Sequence, residues 1–412
     1  MALYSNENLL TDITEPVVHN GDDRTEFMIT GSVLPNLKLV NLGQFGDNTK
    51  RVPDSVGNLA HISRIALMNG RDVLTEIRNF NELMAFEMLL KPNKVNHQIG
   101  RNLYNHKVGY KSFYHVNDAV YQEQTNIKDN KSADLTADDT VGNTNRATLH
   151  LNQVLNMLNV VPVLSDKVFK NGIRLVIEYE NDLTKRVSVD NATSAVKATR
   201  PLLVVDRIQN EKIEGQLIGS LSNTSWTELE MDRVFIDENT AGTQETDVKV
   251  NGFNSKRLER VRISKKFQDN TKNFDGNNSV GYGPYQSIVP LREAYNIRIN
   301  GRNIMPRSDI AGNNRILAAL SDTWGPLNLH EDSVNRTNFN LPKMDGSKGG
   351  QQGYLGLYVG EKVNDLKLNY KRDFQNDTNV RSPYNNALRL EVVGEVVKEL
   401  QLSNGSYLIS YA

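Results

Sequence analysis

The 412-residue chain contains no cysteine. Disulfides, thiolate metal sites and cysteine nucleophiles are thereby excluded, and the absence fits folding in a reducing compartment. Aromatic residues are scarce at 7%, with only two tryptophans, so an aromatic-lined binding groove has little to be built from. Excess charge is missing too: 48 basic residues face 49 acidic ones, a net of -1. Such a chain has no global electrostatic attraction to nucleic acid or to an anionic membrane. No apolar run approaches the roughly 18 residues of a membrane helix; "MLNVVPVL" at 157–164 is among the longest and holds a proline. The opening "MALYSNENLLTDITEPV" is polar and acidic where a secretory signal is basic and then apolar, so a soluble chain without an address label is expected.

What is present is a succession of short segments rich in Val, Ile, Leu and Tyr. "GIRLVIEYE" places Ile173, Leu175 and Ile177 on one face and Arg174, Val176 and Glu178 on the other. "RLERVRISKKF" sets Leu258, Val261, Ile263 and Phe267 against a basic face once one irregular step is allowed. "KLNYKRDF", "LRLEVVGEVVKEL" and "GSYLISYA" read the same way, with Asn, Asp and Gly clusters between them. Many short alternating segments with such punctuation predict an all-β sandwich or barrel. Helical spacing is confined to "RNFNELMAFEMLL" (Phe80, Leu83, Met84, Met88, with Asn79 as N-cap and Glu82 three residues on) and "NNRILAALSDTW" (Leu317, Leu320, Trp324). "LHLNQVLNMLN" at 149–159 fits either state.

The length suits two domains of roughly 200 residues, and the sequence repeats itself accordingly. A strand, Asn69-Gly70-Arg71, an extended piece and a helix recur as a strand, Asn300-Gly301-Arg302, an extended piece and a helix. Asn-Gly is the strongest short hairpin signal, because both central residues of a type I′ turn need φ > 0. Tyr179 is echoed by Tyr370, and Val204-Val205 by Val392-Val393, in the same order. The offset between copies falls along the chain, so the first carries an extra stretch of roughly 40 residues, assigned to the polar segment 91–148. The expected organisation is an arm over 1–29 and two domains over 30–210 and 211–412.

Signatures of chemistry are weak. His97, His106 and His115 are spaced by nine, which suits neither a helix face nor a metal clamp, and His330 has only the acidic neighbours of "LHED". There is no HExxH and no G-x-S-x-G elbow. "DGSKGGQQGYLG" at 345–356 contains Lys348 but not the order of a phosphate-binding loop, and "GYGPYQ" at 281–286 lacks the third glycine of a dinucleotide fingerprint. Sequence alone cannot bring two carboxylates to a glycosidase separation. Lys256, Arg257, Arg260, Arg262, Lys265 and Lys266 form the one strong charge cluster, read as a solvated or subunit-facing strand ahead of a nucleic-acid groove. No catalytic, cofactor-binding or metal-ligating residue is assigned, and no cofactor is expected. The residues singled out are the turn pairs Asn69, Gly70 and Asn300, Gly301.

Two β-domains in tandem, each with a helix after a repeated hairpin, resemble the double jelly-roll major capsid proteins of tailless icosahedral double-stranded DNA viruses, the lineage of adenoviruses, tectiviruses, virophages and polinton-like viruses. The resemblance is carried by "SVGNLAHISRIALMNGRDVLTEIRNFNELMAF", "LNQVLNMLNVVPVLSDKVFKNGIRLVIEYEND", "YNIRINGRNIMP" and "NNALRLEVVGEVVKELQLSNGSYLISYA", and spans about 30 to 412. It implies two tandem eight-stranded jelly rolls with short helices in the loops, and a structural role without an active site. Three copies would form a pseudo-hexagonal trimer tiling a virion shell, with minor capsid and penton proteins as further partners, an internal membrane left open, and no specific nucleic-acid sequence. Synthesis would take place in the host cytoplasm. The alternative is a carbohydrate-binding or adhesin β-sandwich, for which Tyr282, Tyr285 and Trp324 would be the groove aromatics.

Overall fold

A computed structural model describes residues 8–46, 57–84, 146–187, 196–268, 286–287, 293–304, 310–311, 351–352, 355–374, 385–403 and 406–412. The principal strands of the first half are β1 (Leu9–Thr14), β2 (Arg24–Ile29), β3 (Lys38–Leu42), β4 (Ile62–Asn69), β5 (Asp72–Arg78), β6 (Ala147–His150), β7 (Ile173–Tyr179) and β8 (Leu202–Ile208). Those of the second half are β9 (Thr224–Ile236), β10 (Thr243–Val250), β11 (Lys256–Phe267), β12 (Glu293–Ile299), β13 (Arg302–Asn303), β14 (Leu355–Val363), β15 (Leu366–Asp373) and β16 (Leu388–Ser403). A final strand, β17 (Ser406–Tyr411), folds back on β16.

Hydrogen bonding sorts these strands into four sheets. In the first half the orders are β1-β8-β3-β6 and β2-β7-β4-β5. In the second half they are β9-β16-β11-β14 and β10-β15-β12-β13. Each second-half order is the first-half order shifted by eight strands, and every pairing is antiparallel. Two such sheets, face to face and wound so that successive strands alternate between them except at the β4-β5 and β12-β13 hairpins, make a jelly roll. The fold is all-β, a double jelly roll.

Local patterning explains the faces. Ile173, Leu175 and Ile177 alternate into the first core, together with Phe27, Leu39, Ile65, Leu149 and Leu203. In β11 the ladder slips between Leu258 and Arg260, so Leu258, Val261 and Ile263 all reach the second core despite their uneven spacing. A β-bulge restores the period-2 facing in this way. The helix after β5 is described over 80–84 and buries Phe80, Leu83 and Met84. The 149–159 stretch resolves into the end of β6 followed by 3-10 turns at Leu151–Gln153 and Asn156–Asn159.

Three sequence expectations need correction. Of the arm expected over 1–29, the described part, from residue 8 on, is not outside the first barrel: β1 pairs along Leu203–Ile208 and β2 along Ile173–Glu178. Its polarity reflects edge placement, since β1 has one paired side among the described residues and leaves Leu10 and Ile13 exposed. The valine pairs lie on corresponding strands, β8 and β16, but face opposite ways. Val205 enters the first core, whereas Val392 enters the second and Val393 points away from it. A slip of one residue reverses every side chain in a strand, so the copies align one step off the matched letters. The first hairpin is also not type I′, as shown below.

Between the barrels lies a helix not read from the sequence, Glu211–Gly219. The Asn210 side chain caps it, accepting from the amides of Lys212 (3.0 Å) and Ile213 (3.3 Å). Its Glu214 accepts from the Ser32 hydroxyl at 2.5 Å and pairs with Lys167 at 2.7 Å, fastening the connection to the first barrel.

Candidate functional site

The two repeated turns sit at one end of each barrel. In the second hairpin Ile299 pairs with Arg302, so Asn300 and Gly301 are the central residues. Both have positive φ, 51° and 77°, as a type I′ turn requires. In the first hairpin Asn69 pairs with Asp72, so the central residues are Gly70 and Arg71. Gly70 has φ 60° while Arg71 is not among the positive-φ residues, the pattern of a type II′ turn. Measured by ladder position, Gly70 therefore stands where Asn300 stands.

Despite the shift, the two turns hold their neighbours alike. The Gly70 amide donates to the Gly172 carbonyl and the Asn300 amide to the Asp365 carbonyl, both at 2.9 Å. The Asn69 Oδ1 accepts from the Asn171 amide at 2.9 Å, and the Asn300 Oδ1 from the Asn364 amide at 2.8 Å. Each asparagine thus pins the turn that leads into the adjacent strand, β7 or β15. This is a structural reason for writing the punctuation twice.

Their surroundings differ. Asn69 is buried, and its Nδ2 donates to the Tyr407 hydroxyl at 2.6 Å. Tyr407 lies on β17, at the far end of the chain, and its ring meets Phe169 edge-on at 5.0 Å. The Asn69 side chain is therefore covered by the second barrel's terminal hairpin, while the tips of both turns are exposed, Arg71 and Asp72 in the first and Gly301 and Arg302 in the second.

The contact between the barrels continues as a buried ionic junction. Glu82, its side chain 1% exposed, meets Lys185 at 2.7 Å, Arg233 of β9 at 3.4 Å and Arg389 of β16 at 3.7 Å. Arg389 also reaches Glu391 at 3.1 Å, and Arg233 donates to the Asn79 side chain at 3.2 Å. Burial alone would lower the Lys185 ammonium, but Glu82 and Glu180 outweigh it and hold its pKa above the ordinary value. Charges removed from water this way remain only because each meets its opposite. Around them the second barrel's outer strands join the first core through Trp226, Val393 and Leu400, with Leu229 and Met231 packed alongside.

Four residues of the basic cluster on β11, Lys256, Arg257, Arg260 and Arg262, meet carboxylates. Lys256 pairs with Glu230 at 2.5 Å and stands 4.6 Å from the Tyr411 ring centre. Arg257 pairs with Glu259 at 3.4 Å, and Arg260 and Arg262 share Glu395 at 2.9 and 3.2 Å. Arg262 is 2% exposed, so this part of the strand does not present an open cationic groove. Lys265 and Lys266 lie on the same strand, opposite Leu390 and Arg389. His97, His106, His115, His330, Lys348, Tyr282, Tyr285, Trp324 and the helix expected over 313–324 fall outside the described residues. Among the described residues no group of acidic and histidine side chains is placed to hold a metal ion, and no helix is long and apolar enough to cross a membrane.

No family model matches the chain, and no curated protein matches it in sequence. Its fold is that of double jelly-roll viral major capsid proteins. The chain superposes on the Sputnik virophage structure with a TM-score of 0.58 at 11% identity, covering 98% of this chain and 88% of that one. Against the capsid of PBCV-1 virus the TM-score is 0.56 at 11% identity, with coverages of 98% and 96%. Against the Faustovirus major capsid protein it is 0.52 at 9% identity, with coverages of 96% and 90%.

Proposed function

We propose that this chain is the major building block of an icosahedral viral shell, a structural protein whose role includes no catalytic step. The observation that carries the reading is the pairing of two jelly rolls of identical strand order, locked side by side by the Glu82 junction and the Tyr407 hairpin. A locked pair of like barrels can act as a single tile, and the chain it superposes on belongs to the PBCV-1 virus capsid. The domain division near residue 210, at the capped helix Glu211–Gly219, belongs to this reading. So do the assembly of three copies into a pseudo-hexagonal trimer, residence in the virion and contacts with minor capsid proteins.

The carboxylate partners of Lys256, Arg260 and Arg262 support a tile without sequence-specific nucleic-acid recognition. An obligate trimer of upright barrels buries more than about 2,000 Å² per interface, so it should persist at low concentration. Sedimentation velocity at micromolar concentration, with negative-stain microscopy of the same sample, tests the reading. Trimers and shell fragments are expected. A protein that stays monomeric would overturn it and favour the carbohydrate-binding alternative.

A further inference from the structure

Two copies of one fold can be compared position by position, and one outward row differs in kind between them. Lys249, Lys367 and Arg298 stand directly across from one another on β10, β15 and β12, one ladder step from the hairpin turn. The equivalent row of the first barrel is Met28, Arg174 and Met68 on β2, β7 and β4. The neighbours of the three cations along each strand, Val248, Val250, Leu366, Leu368, Ile297 and Ile299, pack in the second core, so the row faces outward. The Lys249 and Lys367 side chains are 50% and 46% exposed, and Arg298 is exposed.

Like charges placed directly opposite on neighbouring strands destabilise a sheet. Elsewhere on these faces cations meet carboxylates: Arg64 lies between Glu76 and Glu178, and Lys371 meets Glu245. In the cationic row one carboxylate, Asp365, serves both Lys249 and Lys367 at 3.6 Å. Arg298 donates to the neutral Asn303 side chain at 3.2 Å and has no carboxylate partner among the described residues. The other carboxylates of the face, Glu245, Asp247 and Asp373, lie farther from the turn. Two more exposed cations border it, Lys362 and the Glu361-paired Arg302. One end of this face is therefore cationic, against the interest of the sheet that carries it.

We infer that the Lys249–Lys367–Arg298 row docks the phosphate backbone of double-stranded DNA, the cargo of the shell. This rests on the capsid reading and adds a partner to it. Two strand spacings set the outer members of the row about 10 Å apart. A duplex carries one negative charge per roughly 1.7 Å of its axis, so a fixed row of that length meets phosphates wherever the duplex lies along it. The uncharged residues facing outward beside the row are Asn296, Asn369 and Asn303. They offer amides to a backbone but no aromatic ring to stack on a base, and a sheet face has nothing to enter a groove. The row therefore holds DNA without reading its sequence.

Fluorescence anisotropy of the full-length protein with a short duplex, repeated over a salt series, tests the inference. Three phosphate contacts predict a log-log salt slope of about −2.7, the same for duplexes of unrelated sequence. The variant Lys249→Gln/Arg298→Gln/Lys367→Gln should bind roughly tenfold or more weakly. Its melting temperature should hold, because the repulsion removed offsets the exposed pairs lost. Arg24→Gln/Arg78→Gln/Lys197→Gln removes the same charge from exposed positions of the first barrel and should bind like wild type. Equal losses in the two variants, no duplex binding at low salt, or binding to phosphatidylglycerol vesicles in place of DNA would overturn the assignment. So would a row variant that binds DNA normally but no longer associates, which would make the row a contact between copies. Trimers that do not bind DNA overturn this inference alone and leave the capsid reading standing, whereas a monomeric wild type overturns both.

Discussion

Gly70 and Gly301 occupy corresponding hairpins, yet alanine should cost far more at the first than at the second. Both have φ in the left-handed region, 60° and 77°, where a Cβ approaches the backbone. That penalty is roughly 1–2 kcal/mol and should be shared by the two variants. Space separates them. A Cβ built on Gly301 meets nothing within 4 Å, whereas one on Gly70 lies 2.8 Å from the Asn171 Cβ and 3.4 Å from its carbonyl oxygen. Asn171 cannot easily retreat, because its amide is held by Asn69 and the next residue's carbonyl by the Gly70 amide. Overpacking of this kind adds roughly 1–3 kcal/mol, so Gly70→Ala should be the less stable variant by about that amount. Urea unfolding of both variants, followed by tryptophan fluorescence, measures the difference. Since Trp226 lies in the first core, the signal reports the side where Gly70 acts. Equal losses, or a larger loss at Gly301, would refute the packing asymmetry between the turns.

His61 is buried beside Tyr179, and burial, reinforced by the Arg186 and Arg146 cations, lowers its pKa from 6.5 to about 3. The unfolded chain therefore takes up this proton first. Stability is full above pH 6.5 and declines as pH falls from there towards 3, by up to about 1.4 kcal/mol per pH unit. His61→Gln should flatten that part of the melting-temperature profile, and an unaltered slope would count against the assignment. Glu82→Ala leaves Lys185, Arg233 and Arg389 facing one another without their shared carboxylate. A loss of about 3–5 kcal/mol is expected in chemical denaturation, and a loss under about 1 kcal/mol, the level of a surface pair, would show that the junction is solvated. Deleting residues 1–16 removes β1 and exposes the β8 edge, so the truncated chain should melt several degrees lower by calorimetry; an unchanged melting point would mean that β1 is not part of the barrel.

Period-2 alternation was legible wherever a strand has one core face, as in Ile173, Leu175 and Ile177. The irregular step in β11 was legible as well, because a bulge leaves a one-residue skip in the apolar spacing. Letter matches misled where register decides. Asn69-Gly70 and Asn300-Gly301 share two letters but sit one ladder step apart, and the paired valines face opposite ways. Nothing local distinguishes such slips, since the identity of the cross-strand partner lies far along the chain. The same distance hid β1, whose partners begin at Leu203, and the junction, where Glu82 looks like a helix-start residue until Arg233 and Arg389 are brought to it. The helix Glu211–Gly219 did carry a local signal in Asn210 followed by Glu211 and Glu214, a cap and an acidic first turn.

Strand β16 sends Val392 into the second core and Val393 into the first. Its 16 residues span about 50 Å at the usual rise of a strand, so one stretch of backbone is a party wall between two rooms. Neither room can be demolished alone. Loss of either core strips one side of the wall, and the bared side then weakens the other. Two independent copies would melt in two steps, one per copy. Here the copies share one strand, so they should fail together, and a push on one barrel is carried along that strand into its twin.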